Sequence, residues 1–595
     1  MEAQKLANQN LPESSLPKWN LSSLFENESQ AKTAVAVLHK TAKGFADMYK
    51  GKIENAEVLL KAVQSYEKIY EGLKKVQSFA YLYYITHMED EGRIKFYHFA
   101  TENSAMISTH LAFFSIEINT LPEQIVKDKI LTTYTTFLQE ILNFKPHLLP
   151  EEIEKTLLKK SSTSSLAWRN FHDSVVVRLQ FAFEGKNAEL SQILNTFLDS
   201  DSKKRHEAAM SLSKTLGENV ETFAFIMNTL IKDKEIEDQM RGFKKPISER
   251  NLSNCIEDEI VDSLISSVKK RYGHTSHRYY KLKAKIFGQE KLNYWDRNAP
   301  MPFHLQKEYS FNEAKTITLE AYNEFSPRMA RIGNSFFEKN WIDAPAYKGK
   351  GSGAFMMPTT PNTNPFIMVN FLGNARCVST LAHELGHGIH QFLSNKQSIL
   401  MCEAPLTFAE IASVFGEKLV FEKMLKTAQT KEERLAMLAG KIEDTINTCV
   451  TQIAYCEFER QLHEKRKAGT ISTEEICQTW LNVNIEAMGD GVDYSSQKHK
   501  YSWAYIGHFI DYPFYVYAYS FADILVNSLY KIYKSNTVEN FQEKYIELLS
   551  AGGSLRHKEL LAPFNIDIST EEFWLNGIAI LEEMIEEFEN EYYAK

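Results

Sequence analysis

The sequence predicts a mainly α-helical protein with a small amount of β-sheet, and three observations carry that reading. Gly (25) and Pro (16) make up about 7% of the 595 residues, against about 12% in an average protein, so turns are sparse. Apolar residues recur at helical spacing over long stretches, with Lys and Glu on the opposite face. β-branched and aromatic runs bounded by turn residues occur in only two regions. A chain of 595 residues allows roughly two to four domains, and 44% hydrophobic with 24% charged residues excludes a disordered or collagen-like protein.

The elements follow in order. From Asn55 onward, Leu59, Ala62, Val63, Tyr66, Ile69, Tyr70, Leu73 and Val76 share one face and predict an amphipathic helix. Between Asn55 and Met240 the only prolines are Pro122, Pro146 and Pro150, so this stretch divides into a few long helices with breaks near them. An N-terminal helical lobe over residues 1–200 is the result. Within it, residues 174–184 (SVVVRLQFAFE), followed by Gly185, predict a short hairpin. Helical patterning resumes at Lys203, opening a second domain over residues 201–595. Its character changes at residues 344–353 (APAYKGKGSG), where four Gly or Pro residues predict a flexible loop. Two β-like runs come next, residues 354–357 and 365–371 (PFIMVNF). After Asn374 the pattern is helical nearly to the end, closing in the acidic LEEMIEEFENEYY, which predicts a solvated amphipathic helix.

Charge and composition exclude several partners. The net charge of −9 is spread along the chain with no basic stripe, which argues against nucleic acid. No window approaches 18 consecutive apolar residues, which predicts no transmembrane helix and no membrane partner. The N-terminus lacks the basic start and apolar run of a secretory signal. Cys255, Cys377, Cys402, Cys449, Cys456 and Cys477 are too dilute for a disulfide framework and form no C-x-x-C pair, so buried reduced thiols are expected. These readings predict a cytoplasmic protein, a monomer rather than an oligomer.

One motif carries chemistry. TLAHELGHGIHQFL contains H-E-x-x-H at His383, Glu384 and His387, a pattern this composition produces by chance on the order of 0.06 times per chain. The surrounding Leu381, Ala382, Leu385, Ile389 and Phe392 predict a helix, which places both imidazoles on one face to hold a single tetrahedral Zn²⁺. Glu384 then lies beside the open coordination position, where it can take a proton from bound water. His390 lies about 10 Å further along the helix than His383 and cannot share that metal. Leu393 stands where a metzincin would have its third His, which excludes that class. Of the downstream carboxylates, Glu403 sits in a turn-like Ala-Pro setting, whereas Glu410 lies in the helical pattern TFAEIASVFGEKL. Ala409, Ala412 and Ser413 there permit close approach of two helices. Glu410 is the expected third ligand, and Glu417, two turns on, a candidate acceptor for a ligand imidazole.

These residues resemble the thimet oligopeptidase and oligoendopeptidase F group of zinc metallopeptidases. The resemblance rests on TLAHELGHGIH, FAEIASVFGE, KGKGSGAF, PFIMVNF, IGHFIDYPFYVYAYSFA, LLSAGGS and the FW-x-x-G segment, with PKWNLSSLF matching the family's N-terminal opening. It implies two helical lobes enclosing a deep substrate channel, with a small sheet near the zinc site whose edge pairs with an extended peptide. It implies one Zn²⁺ per chain on His383, His387 and Glu410, with Glu384 as general base. It also implies that His508 with Tyr515 or Tyr517 donates to the tetrahedral oxyanion, and that Gly349, Gly351 and Gly353 let a loop move over the substrate. The expected activity is hydrolysis of internal bonds in short unstructured peptides. A zinc carboxypeptidase in a similar helical shell, and a non-catalytic peptide-binding protein, are the alternatives.

Overall fold

The structure, a computed structural model, describes residues 16–303 and 307–594. The first 15 residues, read above for a secretory signal, lie outside the described ones. Among the described residues the chain is predominantly helical, with three small sheets of two or three strands. Among the described residues no helix is long and apolar enough to cross a membrane. All six cysteines are free, and four are buried.

The helices form where the patterns require. Helix Ala56–Ile85 is capped by Asn55, whose side chain accepts from the Val58 amide, and it buries Leu59, Ala62, Val63, Ile69, Leu73 and Val76. Helix Ser202–Arg241 runs for 40 residues and stops at Gly242, whose φ of 75° carries the left-handed turn that satisfies the last carbonyls. Helix Glu571–Tyr593 buries Trp574, Ile578, Leu581, Ile585 and Phe588. Its acidic face is engaged rather than merely solvated: Arg278 pairs with Glu589 at 2.7 Å, and Arg434 pairs with Glu591 at 2.7 Å and with Glu587. Such part-exposed pairs contribute about 1 kcal/mol or less each, so they orient the helix more than they stabilise it.

The chain forms two compact units, interleaved in sequence. The first comprises residues 1–145, 306–427 and 530–565, the second residues 146–305, 428–529 and 566–595.

In the first unit an aromatic cluster holds the helices. Phe415 on helix Ile411–Thr427 lies 4.9 Å from Phe325 and 4.5 Å from Tyr545, ring centre to ring centre. A three-stranded sheet runs in the order Ile342–Asp343, Phe366–Met368, Phe355–Met357, parallel at the first pairing and antiparallel at the second. The PFIMVNF run, which by the resemblance is the strand that pairs with a peptide, supplies the inner strand instead. Its amides are already used, Ile367 donating to Trp341 at 2.9 Å and Val369 to Asp343 at 3.0 Å, and the edges fall to Ile342–Asp343 and Phe355–Met357. The glycine-rich loop before it is tied down, contrary to its composition. Lys350 Nζ, with none of its side chain exposed, meets Asp343 Oδ1 at 2.7 Å and donates to the carbonyls of Pro345 and Val369 at 2.8 Å each. The Gly351 amide donates to Ile85 at 2.8 Å, at a spot where a Cβ would come within 2.5 Å of the Ile85 side chain.

In the second unit the predicted hairpin starts later than its sequence suggested. Helix Ser165–Arg178 takes up residues 174–178, and strands Phe181–Phe183 and Lys186–Ala188 pair across Glu184 and Gly185, at φ 49° and 72°. Three valines favour a strand only weakly, and helix packing overrides them: His172, on the same helix, bonds to the Ala504 carbonyl at 2.9 Å. A π-helical turn, Ile446–Thr451, interrupts the run between helices Lys431–Thr445 and Gln452–Ala468.

Candidate metal centre

The motif lies on helix Ala375–Ser394, started by Asn374 accepting from the Cys377 amide. One turn separates His383 from His387, and their Nε2 atoms stand 3.1 Å apart. Glu410 Oε2 is 3.3 Å from the first and 3.2 Å from the second. Ligand atoms about 2.0–2.1 Å from a tetrahedral zinc are about 3.3–3.4 Å from one another, so these three atoms occupy corners of a tetrahedron of nearly the right size. The donor set therefore fits a zinc-type divalent cation. Among the described residues this is the one group of its kind.

The next layer fixes the orientation of the ligands. His383 Nδ1 donates to Glu417 Oε1 at 2.5 Å, which turns Nε2 toward the shared point. Glu417 also accepts from Ser379 Oγ at 3.1 Å. Burial alone pushes the Glu410 carboxyl up, but hydrogen bonds from His383 and His387 hold it well below the usual carboxylate range. Burial likewise disfavours charge on His383, and Glu410 and Glu417 outweigh it to raise that imidazole well above its ordinary value.

Glu410 occupies the break between helices Leu406–Ala409 and Ile411–Thr427, with φ −82° and ψ −2°. Ser413 Oγ donates to its Oε2 at 2.7 Å. His390, excluded above as a ligand, is buried and pushed down to about 4, hence neutral, and hydrogen-bonds to the Ala409 backbone next to Glu410. The two helices meet very closely: a Cβ on Gly386 would lie 2.5 Å from the Ala412 carbonyl oxygen. Sequence reasoning credited this approach to Ala409, Ala412 and Ser413, and the missing side chain at Gly386 is its other half. Glu403 is elsewhere, pairing with Lys74 at 2.8 Å.

Glu384 is 6% exposed, and its Oε2 is buried with no hydrogen-bond partner among the described residues. Burial raises its carboxyl, with the neighbouring imidazoles pulling the other way. A carboxyl in that state accepts and returns a proton more readily than an exposed one.

His508, Tyr515 and Tyr517 belong to the second unit. His508 Nε2 lies 3.2 Å from the Tyr519 hydroxyl, and the Tyr515 ring stacks on the imidazole at 5.7 Å. Tyr517 is fully buried, its hydroxyl accepting from Asn254 Nδ2 at 2.8 Å. Thus His508 and Tyr515 come together with Tyr519, to which the resemblance gave no role, while Tyr517 points into the core. The chain turns at Phe514, φ 59°, where Glu459 Oε1 accepts the Phe514 amide at 2.8 Å and Arg250 Nε donates to Pro513 at 3.1 Å. Tyr515 precedes helix Tyr517–Ser535, so its four-residue spacing from Tyr519 is no sequence signal for their meeting.

A profile of Peptidase family M3 matches residues 197–580, and the chain belongs to that family. More narrowly, a profile described as Oligopeptidase F matches residues 116–181. Oligopeptidase PepF of Bacillus subtilis is 26% identical, over 99% of this chain and 90% of that protein. An Oligoendopeptidase F homolog of Borreliella burgdorferi is also 26% identical, over 96% of this chain and 97% of its own. The fold is shared with the crystal structure of oligoendopeptidase-F from Enterococcus faecium, at a TM-score of 0.72 and 20% identity, over 94% of this chain and 98% of that one.

Proposed function

We propose that this peptidase is a zinc-dependent oligoendopeptidase that hydrolyses internal bonds of short unstructured peptides. The observation that carries the reading is the convergence of His383 Nε2, His387 Nε2 and Glu410 Oε2 within 3.3 Å of one another. Zn²⁺ bound there supplies a Lewis acid that polarises the scissile carbonyl and makes water a nucleophile near neutral pH. The chain's own residues do the rest. His383 and His387 present Nε2, Glu417 fixes the tautomer of the former, and Glu410 adds the charge that balances the cation. Glu384 Oε2 takes a proton from the attacking water and passes it to the departing amine nitrogen. His508 and Tyr515 keep, within this proposal, the oxyanion-donor role given by the resemblance, and the place of Tyr517, which is turned into the core, goes to Tyr519, whose hydroxyl is within reach of His508.

Product analysis by mass spectrometry on a mixed library of short peptides tests the reading. Internal cleavage of C-terminally amidated peptides, abolished by chelator and restored by one equivalent of Zn²⁺, is expected. Removal of C-terminal residues only would establish the carboxypeptidase alternative, and cleavage indifferent to chelator would overturn the metal assignment. The further expectations of a monomeric cytoplasmic enzyme without nucleic acid or membrane partners belong to the same proposal.

A further inference from the structure

In the second unit, Arg297 is a partly exposed guanidinium with little to balance it. Its Nη1 reaches Thr451 Oγ1 at 3.4 Å and Met488 Sδ at 3.5 Å, both at the limit of a hydrogen bond. Among the described residues no carboxylate pairs with it. The neighbouring acids are committed: Asp296 binds Arg205 at 2.8 Å and accepts from Asn293 at 2.9 Å, and Glu443 takes both Lys283 Nζ and the Tyr279 hydroxyl at 2.6 Å. An unpaired guanidinium is costly to the extent that it is withdrawn from water, unless something outside the fold completes it.

The surroundings are donors, not counter-charges. Burial raises the phenols of Tyr280, Tyr455, Tyr494 and Tyr505, and the charge on Arg297 opposes that rise in all four. They remain protonated at neutral pH and offer O–H groups. Tyr280 is wholly buried, and its hydroxyl has no partner among the described residues. Burial and Arg297 together push His499 down to about 3, so it too is neutral. Thr451 closes the π-helical turn Ile446–Thr451, a local break in the helical ladder of a kind that recurs at functional sites.

We infer that Arg297, set among Tyr280, Tyr455, Tyr494 and Tyr505, is a binding site for the carboxylate of a peptide, from its C-terminus or an acidic side chain. A planar guanidinium without a carboxylate partner in the fold matches a carboxylate in both shape and charge. That the carboxylate belongs to a peptide rests on the peptidase reading above; the anion site does not.

The test is calorimetric binding to the full-length, chelator-treated protein, where nothing is cleaved. Three N-acetylated peptides of otherwise uncharged sequence are compared: the C-terminal acid, its amide, and an amide carrying one Glu. The acid is expected to bind about tenfold or more tightly than the plain amide. Equal recovery by the Glu-containing amide identifies a side chain as an accepted source, and failure to recover restricts the site to the C-terminus. Arg297→Met should erase the preference and Arg297→Lys retain part of it. Tyr280→Phe should weaken acid binding several-fold without lowering the melting temperature, since removing an unpaired buried hydroxyl costs the fold nothing. Equal binding, or no binding, of acid and amide by the unmodified protein overturns the inference, as does a preference that survives in folded Arg297→Met. Should that variant not fold, an unchanged preference in both Arg297→Lys and Tyr280→Phe overturns it equally. Failure of the peptidase reading would look different: the preference would stand while the zinc-loaded protein cleaved nothing.

Discussion

Glu384 differs from the other acids around the centre in leaving a buried oxygen without a partner, whereas Glu410 and Glu417 are both held by imidazoles. Replacing it should therefore separate chemistry from binding. Glu384→Gln is expected to keep the metal, by elemental analysis, while kcat falls by about 10²–10⁴-fold. Glu417→Gln should instead weaken metal affinity by about 10–100-fold in a chelator competition, because His383 loses the acceptor that sets its tautomer. His383, Glu384 and His387 were legible because a four-residue spacing on a helix fixes geometry locally. Glu410 was legible because only one of two nearby carboxylates sat in a helical pattern. Tyr519 was not, because its place beside His508 follows from the left-handed Phe514 and from Glu459, which is 55 residues away in sequence.

Between elements, the spacing of the two metal-site helices hangs on a missing side chain. Gly386→Ala places a Cβ 2.5 Å from the Ala412 carbonyl, and backbone cannot step aside as a side chain can. A loss of about 1–3 kcal/mol in stability is expected from denaturant unfolding, together with weaker metal binding as Glu410 moves off the imidazoles. The turn at Phe514 yields a second contrast. Tyr519→Phe should lower kcat with little change in melting temperature, while Tyr517→Phe should act mainly on stability, by stranding the buried Asn254 amide. Helix Ala56–Ile85 and its Asn55 cap were readable from period and cap residue alone. The glycine-rich loop was not, since composition reports what a free chain can do, and Lys350 cancels that freedom through partners on both sides of it in sequence.

For the whole molecule, pH dependence exposes a buried carboxyl the metal chemistry does not use. Burial pushes Glu459 from 4.5 up to about 8, against the opposing bond from the Phe514 amide. Between those values the folded chain keeps a proton that the unfolded chain releases. Its contribution to stability is therefore complete below about pH 4.5 and lost as pH rises toward 8, a change on the order of a few kcal/mol. Urea unfolding at pH 6 and pH 9 should show a fall that Glu459→Gln reduces. The mainly helical class was legible from scarce turns and long periods, but the partition into two units was not, because it is set by which distant segments pack together. Six alternating stretches of chain build the two units, and the first is not complete before Asn565. A ribosome has thus made most of this polypeptide before the unit bearing His383 and Glu410 can close, so a growing chain that has passed Glu410 but not reached Asn565 carries the parts of a peptide-cutting tool without a finished mounting for them.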